Sequence, residues 1–172
     1  MDAIAAGAET SIGSVYRFFP DKRAIFRAVA DLAMATVDQA FRARIVAAAP
    51  GAQWHELLDL AVDVFTEIHE REMAARALLA NIQLYDEYAE ADRAQQRQIA
   101  AVTEGLLGVW APELEPEARA VVAAMIVQTV FGMIVLSQRE PPARRAAMVE
   151  HCKLMLRRYL SPWIETPGTI PP

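Results

Sequence analysis

Two arrangements of ionisable side chains in this chain bear on catalysis or metal binding. His69-Glu70-Arg71-Glu72-Met73 opens like the helical zinc-protease motif, in which two histidines four residues apart on one helix face hold the metal. Met73 stands where the second histidine must be, so that site cannot form. Glu56, Asp59, Asp63 and Glu67 recur every three or four residues on one helical face. Such a row could hold a cation or a cationic ligand, but like charges at this spacing repel mildly and a solvated face is the expected reading. His55, His69 and His151 have no ligand spacing, and no glycine-rich phosphate loop occurs. No catalytic residue, metal site or cofactor is expected.

A different chemistry lies in Ser11 to Lys22, which reads Ser-Ile-Gly-Ser-Val-Tyr-Arg-Phe-Phe-Pro-Asp-Lys. Ser11 can cap a helix, and the small Gly13 and Ser14 on the first turn leave room for close backbone approach. Val15 and Phe19 lie four apart on one face, suited to packing inward, while Ile12, Tyr16, Arg17 and Phe18 spread over the other faces. That is more aromatic surface than a small core needs. Hydroxyls, a basic side chain and apolar edges near a helix N-terminus are what a helix needs to hold phosphates and touch base edges in a DNA groove. The plainer alternative is an amphipathic helix whose aromatics pack on some other partner.

Together with Met1 to Ala8, this segment resembles the second half of the helix-turn-helix of tetracycline-repressor (TetR) family transcription regulators, without a gap from Met1 to about Asp31. The resemblance implies an all-α fold, with double-stranded DNA as a partner. It gives Ser11, Ile12, Gly13, Ser14, Tyr16, Arg17, Phe18 and Lys22 to the DNA contact, Tyr16 and Lys22 on phosphates and the groove-facing residues on bases. Arg17 can reach guanine, and Ile12 or Phe18 a thymine methyl. Glu9 takes the turn position where the family has glycine, and a side chain in a left-handed turn costs energy. The family places one more helix before the position of Met1, so the chain is expected to begin inside its DNA-binding domain. A reader left incomplete in this way would make the protein a dimeric small-molecule-binding module instead.

Composition fits this picture. The 172 residues are 54% hydrophobic and 23% charged, enough for a sizeable core, and no strand-like alternation of useful length occurs. The net charge of −5 is unevenly spread: residues 1–50 carry six bases and five acids, and residues 51–172 carry eleven bases and seventeen acids. An acidic body does not attract DNA, so binding would rest on the bases from Arg17 to Arg27 and on dimerisation. The lone Cys152 excludes an intramolecular disulfide and suits a reducing cytoplasm. No signal peptide is evident. Val121 to Leu136 is nearly continuous apolar sequence, but it contains Gln128 and Thr129 and falls short of the roughly 20 residues a bilayer span requires. A buried helix, with no membrane as partner, is expected.

The elements that must position these groups are helices. The periodicity predicts a stub at Met1 to Ala8, the aromatic helix, and a long helix from Asp21 to about Ala49 with Ile25, Val29, Leu32, Val37, Phe41 and Ile45 as its apolar positions. Further helices are predicted at about 53–70, 72–87, 88–110, 117–138 and from Pro142 to about Leu160, with a loose proline-rich tail over 161–172. This divides the chain into a DNA-binding region with its connecting helix (1–49), a ligand-binding and dimerisation body (50–160) and the tail. Large apolar and a few polar side chains on several helices, Phe65, His69, Ile82, Tyr85, Trp110, Met125, Gln128 and Thr129, suit a pocket for a small-molecule effector, although such a set also suits an ordinary core. Small residues on the apolar helix and the last helix suggest a four-helix seam between two copies. Ala124, Val127, Phe131, Gly132, Val135, Met148, Cys152 and Met155 are its candidates, with the intrachain core as the alternative. The resemblance implies a homodimer there, and a repressor released from a palindromic operator by its effector.

Overall fold

Short polar caps set the beginnings of the first elements in the computed structural model, which describes residues 1–71 and 89–165. Helix α1 spans Asp2–Gly7. The chain then turns through Glu9, whose φ of 50° is left-handed. The Thr10 amide bonds the Ala5 carbonyl at 3.0 Å and the Glu9 amide bonds Ala6 at 3.2 Å, the paired closure of a Schellman motif with Glu9 in the glycine position. Ser11 accepts from the Ser14 amide at 3.0 Å and starts α2 (Ile12–Phe18). Asp21 accepts from the Ala24 amide at 2.8 Å and starts α3 (Lys22–Ala48).

The body consists of α3, α4 (Trp54–Arg71), α5 (Ala89–Trp110), α6 (Pro116–Ser137) and α7 (Pro142–Ile164). Among the described residues there is no strand, and the fold is all-α as expected. Prolines open α6 and α7, where a missing N–H costs nothing. The predicted helix at 72–87 lies outside the described residues.

Helix α4 stands at the centre because each of its faces meets a neighbour: one packs on α3, one on α5, α6 and α7, and a charged one pairs with α7 and α3. Leu57, Val64 and Ile68 pack with Ala33, Val37, Phe41 and Ile45 of α3. Leu58 and Val62 join Leu107 of α5, Val122, Ile126 and Ile134 of α6, and Val149, Cys152 and Leu156 of α7. Leu107 is 1% exposed, so truncating it to alanine leaves a cavity costing about 2–5 kcal/mol.

The third face of α4 is the acidic row, and its role differs from the solvated face expected. Asp59 takes a two-pronged ion pair from Arg157 and Asp63 meets Lys153 at 2.6 Å, both on α7, where Glu70, beyond the row, also meets Arg145 at 3.2 Å; Glu56 instead accepts from the Gln53 amide at its own helix start. Glu67 meets Arg44 of α3 at 2.6 Å. Asp59, Asp63 and Glu67 thus form a ladder that ties α4 to its neighbours in an antiparallel register. Lys153 is buried; burial works against its charge, but Asp63 and Glu150 override this and hold its pKa above 10.5.

Three further expectations change. Leu32 is 65% exposed, and the buried stripe of α3 runs through Ala30, Ala33, Val37, Phe41 and Ile45. The last helix continues past Leu160 through Pro162 to Ile164, so residues 161–164 belong to α7 and not to a tail. Trp163 and Ile164 pack on the core, and Tyr159 meets Trp163 edge-on at 4.7 Å, contacts that outweigh the backbone bond Pro162 cannot make. Finally, α6 is long and apolar enough to cross a membrane by length and composition, yet Val122, Ala123, Ile126, Val130 and Ile134 on it are core residues.

Candidate DNA-reading and ligand-binding sites

The N-terminal pair α1 and α2 is a small amphipathic unit. Ala5 and Val15 are its buried side chains, at 4% and 7% exposure, and Phe19 is half-buried. With Val15 turned inward, the outer side of α2 carries Ile12, Tyr16, Arg17 and Phe18, all exposed, Phe18 to 72%. The Arg17 guanidinium lies 5.9 Å from the centre of the Phe18 ring, so the cation and the aromatic form one surface. Ser11 and Gly13 are exposed on the first turn, and the Ser11 and Ser14 hydroxyls are 2.9 Å apart. Lys22 is the first residue of α3, directly across the Pro20-Asp21 break. All eight residues expected at a DNA surface thus lie on one short stretch, seven on the capped aromatic helix and the eighth at the start of the helix that enters the body.

Below this unit, α3, α4, α5 and α6 line a partly open cavity of about 110 Å³. From α3 come Phe26, Ala30, Ala33, Met34, Val37 and Phe41; the alanines are small, so the other helices surround a space instead of filling it. Helix α4 adds Leu58, Ala61, Val62, Phe65 and His69, and α6 adds Ile126, Val127, Val130, Phe131 and Ile134. The polar lining comes from His69 and, on α5, from Gln95, Gln96 and Thr103. No Asp, Glu, Lys or Arg lines it among the described residues.

The polar groups of this wall are held by backbone. The Nδ1 of His69 is 2.7 Å from the Phe65 carbonyl one turn earlier, and burial pushes the imidazole pKa below 6.5 even though that bond pulls it upward. The neutral ring therefore donates through Nδ1 and presents Nε2 as an acceptor. Thr103 donates to the Ile99 carbonyl at 3.0 Å, and Gln95 Nε2 donates to the Met34 carbonyl of α3 at 3.0 Å. Gln96 accepts from Gln128 at the rim.

Of the residues expected around an effector, Phe65 and His69 line this cavity. Ile82 and Tyr85 lie outside the described residues. Trp110 packs in the wall between the two core clusters and does not line the cavity. Met125 is 52% exposed on the opposite face of α6, and Gln128 and Thr129 stand outside the lining as well. Val127 and Phe131, expected at a seam between copies, instead face inward and line the cavity. Cys152 is 4% exposed in the core, and burial raises its thiol pKa. Ala124 and Met155 are exposed, while Gly132, Val135 and Met148 are half-buried. The sequence reading missed the α3 and α5 contributions. The signal available for α3 was the recurrence of Phe26, Ala30, Ala33, Val37 and Phe41 every three or four residues, masked by an adjacent stripe of larger aliphatics.

A capped helix-turn-helix joined by one long helix to a bundle with a cavity between its helices defines a two-part protein, a nucleic-acid reader on a small-molecule-binding body. Residues 1–29 match bacterial regulatory proteins of the tetR family, and residues 53–160 match the tetracyclin repressor-like C-terminal domain. The chain belongs to the TetR family of transcription regulators, with a DNA-binding and a ligand-binding domain. No curated protein and no solved structure matches it.

Proposed function

We propose that this regulator is a repressor: a cytoplasmic homodimer that holds a palindromic operator through α2 and leaves it when a small effector fills the cavity. The observation that carries the reading is the double role of α3, which starts at Lys22 beside the reading helix and supplies six residues of the cavity wall from Phe26 to Phe41. An occupant of the cavity must touch the helix that orients α2. The effector acts through its different affinity for the arrangements of α3 with and without operator. Ser11, Ile12, Gly13, Ser14, Arg17 and Phe18 face the groove in this reading, and Tyr16 and Lys22 hold phosphates.

The dimer reading rests on an apolar surface. Val121, Met125 and Leu136 on α6 and Met155 and Tyr159 on α7 are 40–67% exposed. Ala124 and Gly132 lie along the same side, and a side chain at Gly132 would meet nothing within 4 Å in the protomer. Exposed apolar residues on two adjacent helices suit a four-helix seam across a two-fold axis.

The test is selection from random duplex DNA with the full chain, followed by footprinting. Recovery of a palindromic site with a footprint on both half-sites is the expected outcome. Failure to enrich any sequence would leave a dimeric small-molecule-binding module.

A further inference from the structure

The described polar side chains in the cavity wall have spent donors on the main chain. His69 gives its Nδ1 proton to the Phe65 carbonyl, Thr103 its hydroxyl proton to Ile99, and Gln95 an amide proton to Met34. What His69 and Thr103 can offer inward is acceptors, Nε2 of His69 and the Oγ1 lone pairs of Thr103, while Gln95 keeps its Oε1 and one further amide proton. The rest of the described lining is apolar apart from Gln96, and no described lining residue carries a formal charge to meet an ionised ligand. An ionised carboxylate entering such a wall loses its hydration and finds no cation among the described lining residues. Size points the same way. Enclosed apolar cavities of about 150 Å³ take up a benzene ring, and this cavity, about 110 Å³ and partly open, is of that compact scale.

We infer that the cavity is built for a neutral one-ring or similarly compact apolar molecule carrying a hydroxyl, a phenol or a small alcohol, whose proton is accepted by His69 Nε2. This rests on the reading of the cavity as the effector site and narrows it to a chemical class. A hydroxyl donor fills an acceptor that would otherwise stay unpaired when the cavity is occupied, whereas a hydrocarbon of the same shape leaves it bare. The neutral state of the imidazole, favoured by its burial, keeps that acceptor available at neutral pH.

The experiment titrates the full chain with phenol, toluene and benzoate at about pH 7.5, following tryptophan fluorescence and thermal shift. Phenol is expected to bind about tenfold more tightly than toluene, the difference one satisfied buried acceptor supplies, and benzoate is expected to produce no shift. In His69→Phe, which keeps a ring in the wall, toluene should bind at least as well as before and the preference for phenol should vanish. If that variant does not fold, Thr103→Val carries the same comparison, with a reduced phenol preference expected. Toluene binding as tightly as phenol, or benzoate binding as tightly as phenol, overturns the inference while leaving the cavity a binding site. Binding of neither phenol nor toluene overturns the inference together with the reading of this cavity as an effector site.

Discussion

Gln95 of α5 donates through Nε2 to the main-chain carbonyl of Met34, 3.0 Å away in the middle of α3. A helix carbonyl is already bonded to the amide four residues on, so this is a second, lateral tie that joins two walls of the cavity. Gln95→Leu keeps the volume and removes the tie. Urea unfolding should show a loss of about 1 kcal/mol. Gln95→Glu should cost more, because a carboxylate then faces the carbonyl oxygen from a wall whose other described residues are uncharged.

Glu9 holds φ at 50° in the turn between α1 and α2. Glycine removes the steric penalty of that conformation, so Glu9→Gly should stabilise the turn by about 1 kcal/mol. The reporter is hydrogen exchange at the Thr10 amide, which closes the turn on Ala5. Slower exchange is expected, and unchanged or faster exchange would contradict the strain.

His69 makes stability depend on mildly acidic pH. Its folded pKa lies below the unfolded 6.5, so between those values the unfolded chain binds more protons than the folded one. The stability is fully present above pH 6.5 and is lost as pH falls through that value toward the folded pKa. Glu67 and Glu150, also depressed, keep their contributions until the pH falls below 4.5. Unfolding free energies measured at about pH 7.5 and about pH 5.5 should therefore differ in the native chain, and His69→Phe should flatten the difference.

Arg17 and Lys22 separate base reading from phosphate holding. Lys22→Ala should weaken all DNA sequences alike and flatten the salt dependence. Arg17→Ala should relax the choice of base at one position by about 1–3 kcal/mol. Salt titrations on the selected site and its single-base variants distinguish the two patterns.

Gly132→Leu should leave the protomer fold intact, since the space beside this position is open within the chain. At a seam between two copies the added bulk should weaken association by about 1–3 kcal/mol. Light scattering and sedimentation over a dilution series read it; an unchanged dimer would place Gly132 away from the seam.

The helices were legible where local chemistry marks them. Ser11, Asp21, Pro116 and Pro142 each stand at or beside a helix start for reasons contained in a few neighbouring residues. The faces of α6 were not legible. Apolar residues surround that helix, so nothing in its periodicity says that Val127 and Phe131 turn inward while Met125 turns out. The acidic row of α4 looked solvated because its partners Lys153 and Arg157 stand about 90–98 residues further on. Gln95 and Thr103 carry no local signal of their place, since only the packed bundle turns them onto a cavity. Pro162 looked like a terminator because the burial of Trp163 beyond it is a tertiary gain.

The length of α3 sets how small a change inside the body is felt outside it. Its 27 residues extend about 40 Å, and the stretch from Phe41 back to Lys22 accounts for roughly 28 Å of that. Phe41 is wedged against Phe65 with ring centres 4.8 Å apart, a natural fulcrum. Rotating the helix by about 5° around that point carries Lys22 sideways by roughly 2.5 Å, whereas Met34, on the cavity wall, moves by less than about 1 Å. In the proposed mechanism, a body that yields by a fraction of an ångström around an effector would displace the far tip by nearly the length of a hydrogen bond.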